Sequence, residues 1–203
     1  MRRPQRFDKT YYERHYRDPR TRVGSARATA LLADHVAAAL KHHGVAVRRI
    51  LDAGCGLGFW RDPLARAFPR ARYVGLEYSE HLCAELGWIH GSIADPDLKS
   101  LIGAEPFDLV VCQGVLQYLD DRAAAGALAN LAKSCRGALY LEALTQLDWR
   151  ENADQGRTDG AVHLRSGTWY RRRLVREFAS IGSGIFVKRD AHVVLWELER
   201  GDL

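Results

Sequence analysis

The run Leu51-Asp52-Ala53-Gly54-Cys55-Gly56-Leu57-Gly58 sets three alternating glycines directly behind a short apolar stretch. A buried strand that ends this way must turn at once, because glycine accepts positive φ and lets the backbone come close to a ligand. Asp62 and Pro63 then supply a cap and first turn for a helix through Phe68. The chain is thereby committed to a strand, glycine loop and helix unit, whose helix-end amides face the gap above a sheet.

The same alternation continues on both sides of the loop. Ser25 can cap a helix whose apolar positions include Leu31, Leu32, Val36 and Leu40, with Gly44 as its stop. Arg48 to Ala53, Arg72 to Glu77, Trp88 to His90, Phe107 to Cys112 and Ala138 to Leu144 read as strands, and Glu80 to Leu86 and Asp121 to Cys135 as helices. Trp169 to Ser180 extends the helical pattern. Gly184 to Lys188 and His192 to Leu198 are two strands separated by only Arg189-Asp190-Ala191, too few residues for a crossover, so they are expected to form an antiparallel hairpin. The fold class is therefore α/β: a doubly wound, seven-stranded sheet, mostly parallel, with an antiparallel C-terminal strand.

With 203 residues, 47% hydrophobic and 27% charged, the chain has the balance of one globular domain. Its apolar stretches are strand-sized, well short of the roughly 20 residues that span a bilayer, and Met1-Arg2-Arg3-Pro4-Gln5-Arg6 lacks the apolar core of a secretory signal. Cys55, Cys83, Cys112 and Cys135 contain no CxxC pair, and no His/Cys/Asp cluster shows ligand spacing, so a cytoplasmic protein without a metal is expected. Residues 1–30 hold nine Arg or Lys against three acids. This suggests a basic, aromatic arm or lid over residues 1–23 and a single domain over 24–203. Such an arm can grip phosphates or be a solvated tail. Arg171-Arg172-Arg173 with Arg176 is spread around a helix and fits a solvated side better than a nucleic-acid face.

Glu77 ends the next strand, 19 positions after Gly58, where a carboxylate can take both hydroxyls of a ribose. The dinucleotide fingerprint would need Gly or Ala at position 59; Phe59 stands there beside Trp60, which argues against a nicotinamide cofactor. The GxGxG pattern preceded by Asp52 resembles the first motif of class I S-adenosylmethionine-dependent methyltransferases. Tyr73-Val74-Gly75-Leu76-Glu77-Tyr78-Ser79 is similar to that family's second motif, and the run from Phe107 to Leu119 to its fourth. The terminal hairpin matches the family's sheet, whose seventh strand runs against the others.

The resemblance implies a Rossmann-like methyltransferase fold with S-adenosyl-L-methionine as cofactor. Carried over by position, Asp52, Gly54, Cys55, Gly56 and Gly58 cradle its methionine part, Glu77 holds the ribose and Tyr78 packs on the adenine. Ser92, followed by Ile93, stands where the family often has Asp to read the adenine amino group; Asp95 can take that place. Cys112 and Gln113 border the transferred methyl, although Gln113 also suits a plain strand end.

Acceptor contacts are expected from three segments above the strand ends. Tyr11, Tyr12 and Tyr16 form either a lid or packing for the arm; Gln117 and Tyr118 follow the fourth strand; the excursion from Thr145 to Gly167 carries Trp149, Asp159, His163 and Arg165. The catalytic group is unassigned, with His163 and Tyr118 as candidates for a base. The function expected is methyl transfer by in-line displacement to the O or N of a small molecule. The alternatives are an RNA-directed enzyme and a cofactor-binding protein without turnover. Cys112-Gln113-Gly114-Val115 is not the Asn/Asp-Pro-Pro-aromatic motif that grips a flipped base. Oligomeric state and acceptor identity are not legible.

Overall fold

Seven strands form one sheet in a computed structural model that describes residues 7–201. They are β1 Arg49–Ala53, β2 Arg72–Glu77, β3 Ile89–His90, β4 Phe107–Gln113, β5 Cys135–Glu142, β6 Phe178–Ser180 and β7 Ile185–Lys188. Their spatial order is β3-β2-β1-β4-β5-β7-β6. Only β7 runs against its neighbours, pairing antiparallel with both β5 and β6. The strand order reverses at β1, so a crevice opens beyond the carboxyl ends of β1 and β4, the place where open α/β sheets bind ligands.

Eight helices flank the sheet among the described residues. They are α1 Lys9–Tyr12, α2 Ala26–His42, α3 Arg61–Ala67, α4 Glu80–Leu86, α5 Leu98–Ile102, α6 Asp121–Ser134, α7 Gln146–Glu151 and α8 Gly167–Leu174. Side chains alternate across a strand, so consecutive apolar residues of β4 serve two cores. Leu109 and Val111 pack with Val36 and Leu40 of α2 and Leu64 of α3. Val110 and Cys112 pack with Leu128 and Leu131 of α6 and Leu174 of α8. A third, smaller cluster joins Tyr11 and Tyr12 to Leu82 of α4 and fixes the arm to the sheet's carboxyl edge.

The strands β1 and β2 and the helix α4 stand where the sequence places them. Ser25 caps α2 by accepting from the Ala28 amide at 3.2 Å, although Leu31, expected on its apolar face, is 65% exposed. The helix expected to end at Ser180 stops at Leu174, and its last residues become β6. The hairpin is therefore β6 with β7, not β7 with 192–198. Gly182, Ser183 and Gly184 all have positive φ and make a reversal tight enough for β6 to take the open edge of β7. Val194, Trp196 and Leu198 are left exposed in spite of their strand propensity. Among the described residues, no helix is long and apolar enough to cross a membrane.

Candidate functional site

The glycine loop closes against two partners. Gly54 has φ +81°, and a Cβ there would fall 2.3 Å from Val115, so backbone conformation and contact both demand glycine. Gly54 and Cys55 donate to the Leu76 carbonyl at 2.7 and 3.1 Å, which ties the loop to β2. Asp52 lies below the loop, 2% exposed, and accepts from the Tyr73 hydroxyl. Burial, reinforced by the nearby Glu77 charge, raises its carboxyl to about 7 against the Tyr73 hydrogen bond.

A raised folded-state value means that native Asp52 keeps its proton to about pH 7, whereas the unfolded chain releases it near 4. The stability it contributes is present at low pH and is lost as pH rises between those values. Asp52→Asn should therefore lose less thermal stability than the wild type between pH 5 and 8. Parallel melting-temperature profiles for the two proteins would refute this.

Glu77, 5% exposed, is the hub of the site. Its Oε2 accepts from the Gly56 amide at 2.8 Å; its Oε1 accepts from the Ser79 amide at 2.8 Å and the Tyr12 hydroxyl at 3.2 Å. The acid and the loop thus face a common cavity of about 1130 Å³, larger than the roughly 300–1,000 Å³ of an ordinary small-ligand pocket and roomy enough for two ligands. Tyr78, Ser92, Ile93, Asp52, Gly54, Cys55, Gly56 and Gln113 all line it with Glu77. A carboxylate beside backbone amides, an aromatic and an apolar side chain, and an amide at the end of β4 are the groups a nucleoside with an amino-acid tail requires.

The arm roofs the cavity. Tyr11, Tyr12, His15 and Tyr16 line it from α1 and the π-helical turn Glu13–Arg17 that follows, a rare geometry found mostly at functional sites. Four ties hold this roof: Ser79 Oγ donates to the Phe7 carbonyl at 2.5 Å, Tyr11 and Tyr118 share a hydroxyl hydrogen bond of 2.8 Å, Tyr12 reaches Glu77, and His15 Nδ1 lies 3.2 Å from the Arg157 carbonyl. Burial pushes the Tyr11, Tyr12 and Tyr118 hydroxyls well up and that of Tyr16 to about 12. They stay protonated at neutral pH. Tyr118, a sequence candidate for a base, is therefore a hydrogen-bonding group.

His163, Gln117 and Asp159 also line the cavity. The Gln117 carbonyl accepts from the His163 amide at 2.7 Å, so the excursion is fastened to the 3₁₀ turn Leu116–Tyr118 beyond β4. Trp149 and Arg165 do not line it. Arg165 is 4% exposed and is consumed by Asp121 and the Leu116 and Leu119 carbonyls, so it is a strut between the excursion and α6. Gly58 and Cys112 also lie behind the wall, and Asp95 is turned to the Asp97 amide.

Sequence reasoning missed Glu142, which ends β5 opposite Gln113 and lines the cavity. Gln113 Nε2 donates to it at 3.1 Å and the Tyr140 hydroxyl at 2.9 Å, while Trp60 Nε1 donates to Gln113 Oε1 at 2.8 Å. An acid directly after the apolar run Ala138 to Leu141 was the available signal. His42, His43 and Glu199 also come together, with His42 Nε2 3.1 Å from Glu199 Oε1. This group of metal-ligand type lies outside the cavity and is not visible in the spacing of the chain.

A reversal point carrying a glycine loop, a ribose-type acid and an antiparallel seventh strand defines a nucleoside-cofactor domain of the Rossmann-like class. The family described as "Methyltransferase domain" matches residues 51–137. A malonyl-[acyl-carrier protein] O-methyltransferase of Legionella pneumophila is 29% identical over 52% of this chain and 39% of its own length. A trans-aconitate 2-methyltransferase of Streptomyces avermitilis is 30% identical over 57% and 52%. The chain thus spans two-fifths to about half of the curated relatives it matches. A magnesium protoporphyrin IX methyltransferase from Synechocystis, solved with bound SAH, superposes with a TM-score of 0.56 at 19% identity, over 80% of this chain and 85% of that one. Residues 51–137 thus match a methyltransferase domain, and the chain is similar to class I S-adenosylmethionine-dependent methyltransferases, whose cofactor is S-adenosylmethionine.

Proposed function

We propose that the protein transfers a methyl group from S-adenosylmethionine to an oxygen or nitrogen of a small molecule. One observation carries this reading: a single cavity is lined both by the glycine loop and Glu77 and by the arm tyrosines, Gln117, Tyr118 and His163. The names of the relatives support a small acceptor. Two of the arm's described arginines are taken up by acids and so are not offered to nucleic acid, Arg17 by Glu13 and Glu85 and Arg20 by Asp18. Arg2, Arg3 and Arg6 lie outside the described residues.

When bound, the cofactor supplies a methyl already activated on a sulfonium, so the protein's task is to position, dehydrate and deprotonate the acceptor. Glu77, oriented by the Gly56 amide, holds the ribose end, while Tyr78 and Ile93 bracket the base. Gln113, fixed by Trp60 and Glu142, orients the methionine end. The tyrosine roof excludes water and donates hydrogen bonds to the acceptor. His163 is the proposed base for the acceptor's proton, at Nδ1 or Nε2, a reading supported by its place in the cavity lining.

S-adenosylhomocysteine should raise the melting temperature, because a ligand bound only by the folded state shifts the equilibrium by RT ln(1 + [L]/Kd), and NADH should not. Transfer of labelled methyl to a panel of carboxylic acids, sugars and amines then tests turnover. Stabilisation by NADH alone would remove the assignment. Cofactor binding with no transfer to any small acceptor, but with transfer to RNA, would replace it.

A further inference from the structure

We propose that Trp88, which does not line the cavity, is a positioning residue that aims the glycine loop at the ribose acid. Its indole Nε1 donates to the Gly56 carbonyl at 2.9 Å, while the Gly56 amide donates to Glu77 Oε2 at 2.8 Å. The middle residue of the loop is therefore gripped at both ends, by Trp88 from below and by the acid from the ligand side. Two other glycines make room for the ring. A Cβ at Gly58 would fall 2.7 Å from the indole and one at Gly75 of β2 2.6 Å from it. Real Cβ atoms essentially never come that close, so the glycines at 58 and 75 serve the indole. The Arg61 guanidinium stands 5.7 Å over the same ring and holds it from the α3 side.

The chemical logic is a relay through one peptide. The Gly56 carbonyl and amide belong to two adjacent peptide planes joined at a residue with φ +51°, one of several conformations that glycine takes with ease, so the planes stay set only when tied. Fixing the carbonyl on the indole sets the plane that follows Gly56 and restricts the rotation of the one before it. The amide is then kept on Glu77 Oε2, and the carboxylate is held in one orientation toward the cavity. Deleting the indole N–H leaves the carbonyl without its donor and lets the loop rotate, and the cost appears at the ribose although no ligand contact is lost.

This inference rests on the cofactor reading above. The test is isothermal titration of the wild type and Trp88→Phe with S-adenosylhomocysteine and, separately, with adenosine, at a temperature where circular dichroism shows both proteins folded. Trp88→Phe should weaken both ligands by the same factor, about tenfold, the consequence of stranding one partly buried acceptor. In a Glu77→Gln background the same substitution should cost less than threefold, because the two residues act through one peptide. A merely structural role would lower the melting temperature and leave Kd unchanged, and Kd within twofold of wild type in a folded Trp88→Phe overturns the proposal. Equal losses in both backgrounds also overturn it. If the variant does not fold, the wild-type Trp88 Nε1–H is read by NMR. Adenosine should shift this resonance and slow its hydrogen exchange, and an unchanged resonance overturns the proposal. A wild type that binds neither ligand would instead remove the cofactor reading beneath it.

Discussion

Glu77→Ala is expected to weaken S-adenosylhomocysteine binding at least a hundredfold, or about 3 kcal/mol. The ribose loses a charged acceptor, itself worth roughly 1.5–3 kcal/mol. The Gly56 and Ser79 amides and the Tyr12 hydroxyl lose their partner at the same time. Because Glu77 is 5% exposed, those donors cannot all be rescued by water, and each one stranded costs about 1–3 kcal/mol. A fall in melting temperature of several degrees should therefore accompany the loss of affinity, at roughly 2–4 °C per kcal/mol for a chain of this size. Glu77→Gln, which keeps one acceptor oxygen, should lie between the two proteins in both measurements. Titration calorimetry and thermal unfolding decide it: an Ala variant that binds as the wild type does would place the ribose elsewhere.

The second large effect falls on stability and turnover and spares cofactor affinity. Arg165→Met should cost about 2–4 kcal/mol, the consequence of leaving two carbonyls without their donor. The ion pair itself contributes little, since the Asp121 side chain is 79% exposed and is readily solvated when left behind. The cost comes from the carbonyls of Leu116 and Leu119, which receive the guanidinium at 3.0 and 2.5 Å and sit in the turn that follows β4. Trp169 also loses the cation stacked 4.8 Å over its ring. Arg165 does not touch the cavity, so cofactor affinity measured well below the lowered melting point should stay within threefold of wild type. Turnover should drop further, because the excursion and the turn that carry His163 and Gln117 lose their common brace. A melting temperature within 2 °C of wild type would refute the strut.

What the chain reveals by itself is what depends on neighbours in sequence. Arg72 to Glu77 and Glu80 to Leu86 are legible to the residue, because apolar alternation, the Ser79 cap and the Gly87 stop are local signals. Glu77 is legible for the same reason, standing at a strand end a fixed distance from the loop. Arg165 was misread as an acceptor contact because a charged residue in a polar excursion looks available. Only its distance in space from Leu116, 49 positions earlier in the chain, shows that it is used up. The π-helical turn that lowers Tyr16 into the cavity has no sequence signature, and the role of Trp88 depends on three glycines from two different elements. His192 to Leu198 carries the strongest strand composition of the C-terminal region and forms no strand, since edge pairing was decided by the reversal at Gly182 to Gly184.

The bond between Tyr12 and Glu77 has a kinetic consequence. A carboxylate offers about four lone-pair directions, and three are taken by Gly56, Ser79 and Tyr12. A ribose that engages through two hydroxyls needs two of them, so the tyrosine must surrender its place each time a nucleoside arrives and can reclaim it each time one departs. Exchange is then tied to the breathing of the roof, which the contacts of Phe7, Tyr11 and His15 slow together. Such motions run on microsecond to millisecond timescales or longer and often exceed the chemical step in duration. Under the proposed function, the residence time of the spent cofactor is therefore expected to lengthen each cycle, and Tyr12→Phe should shorten it.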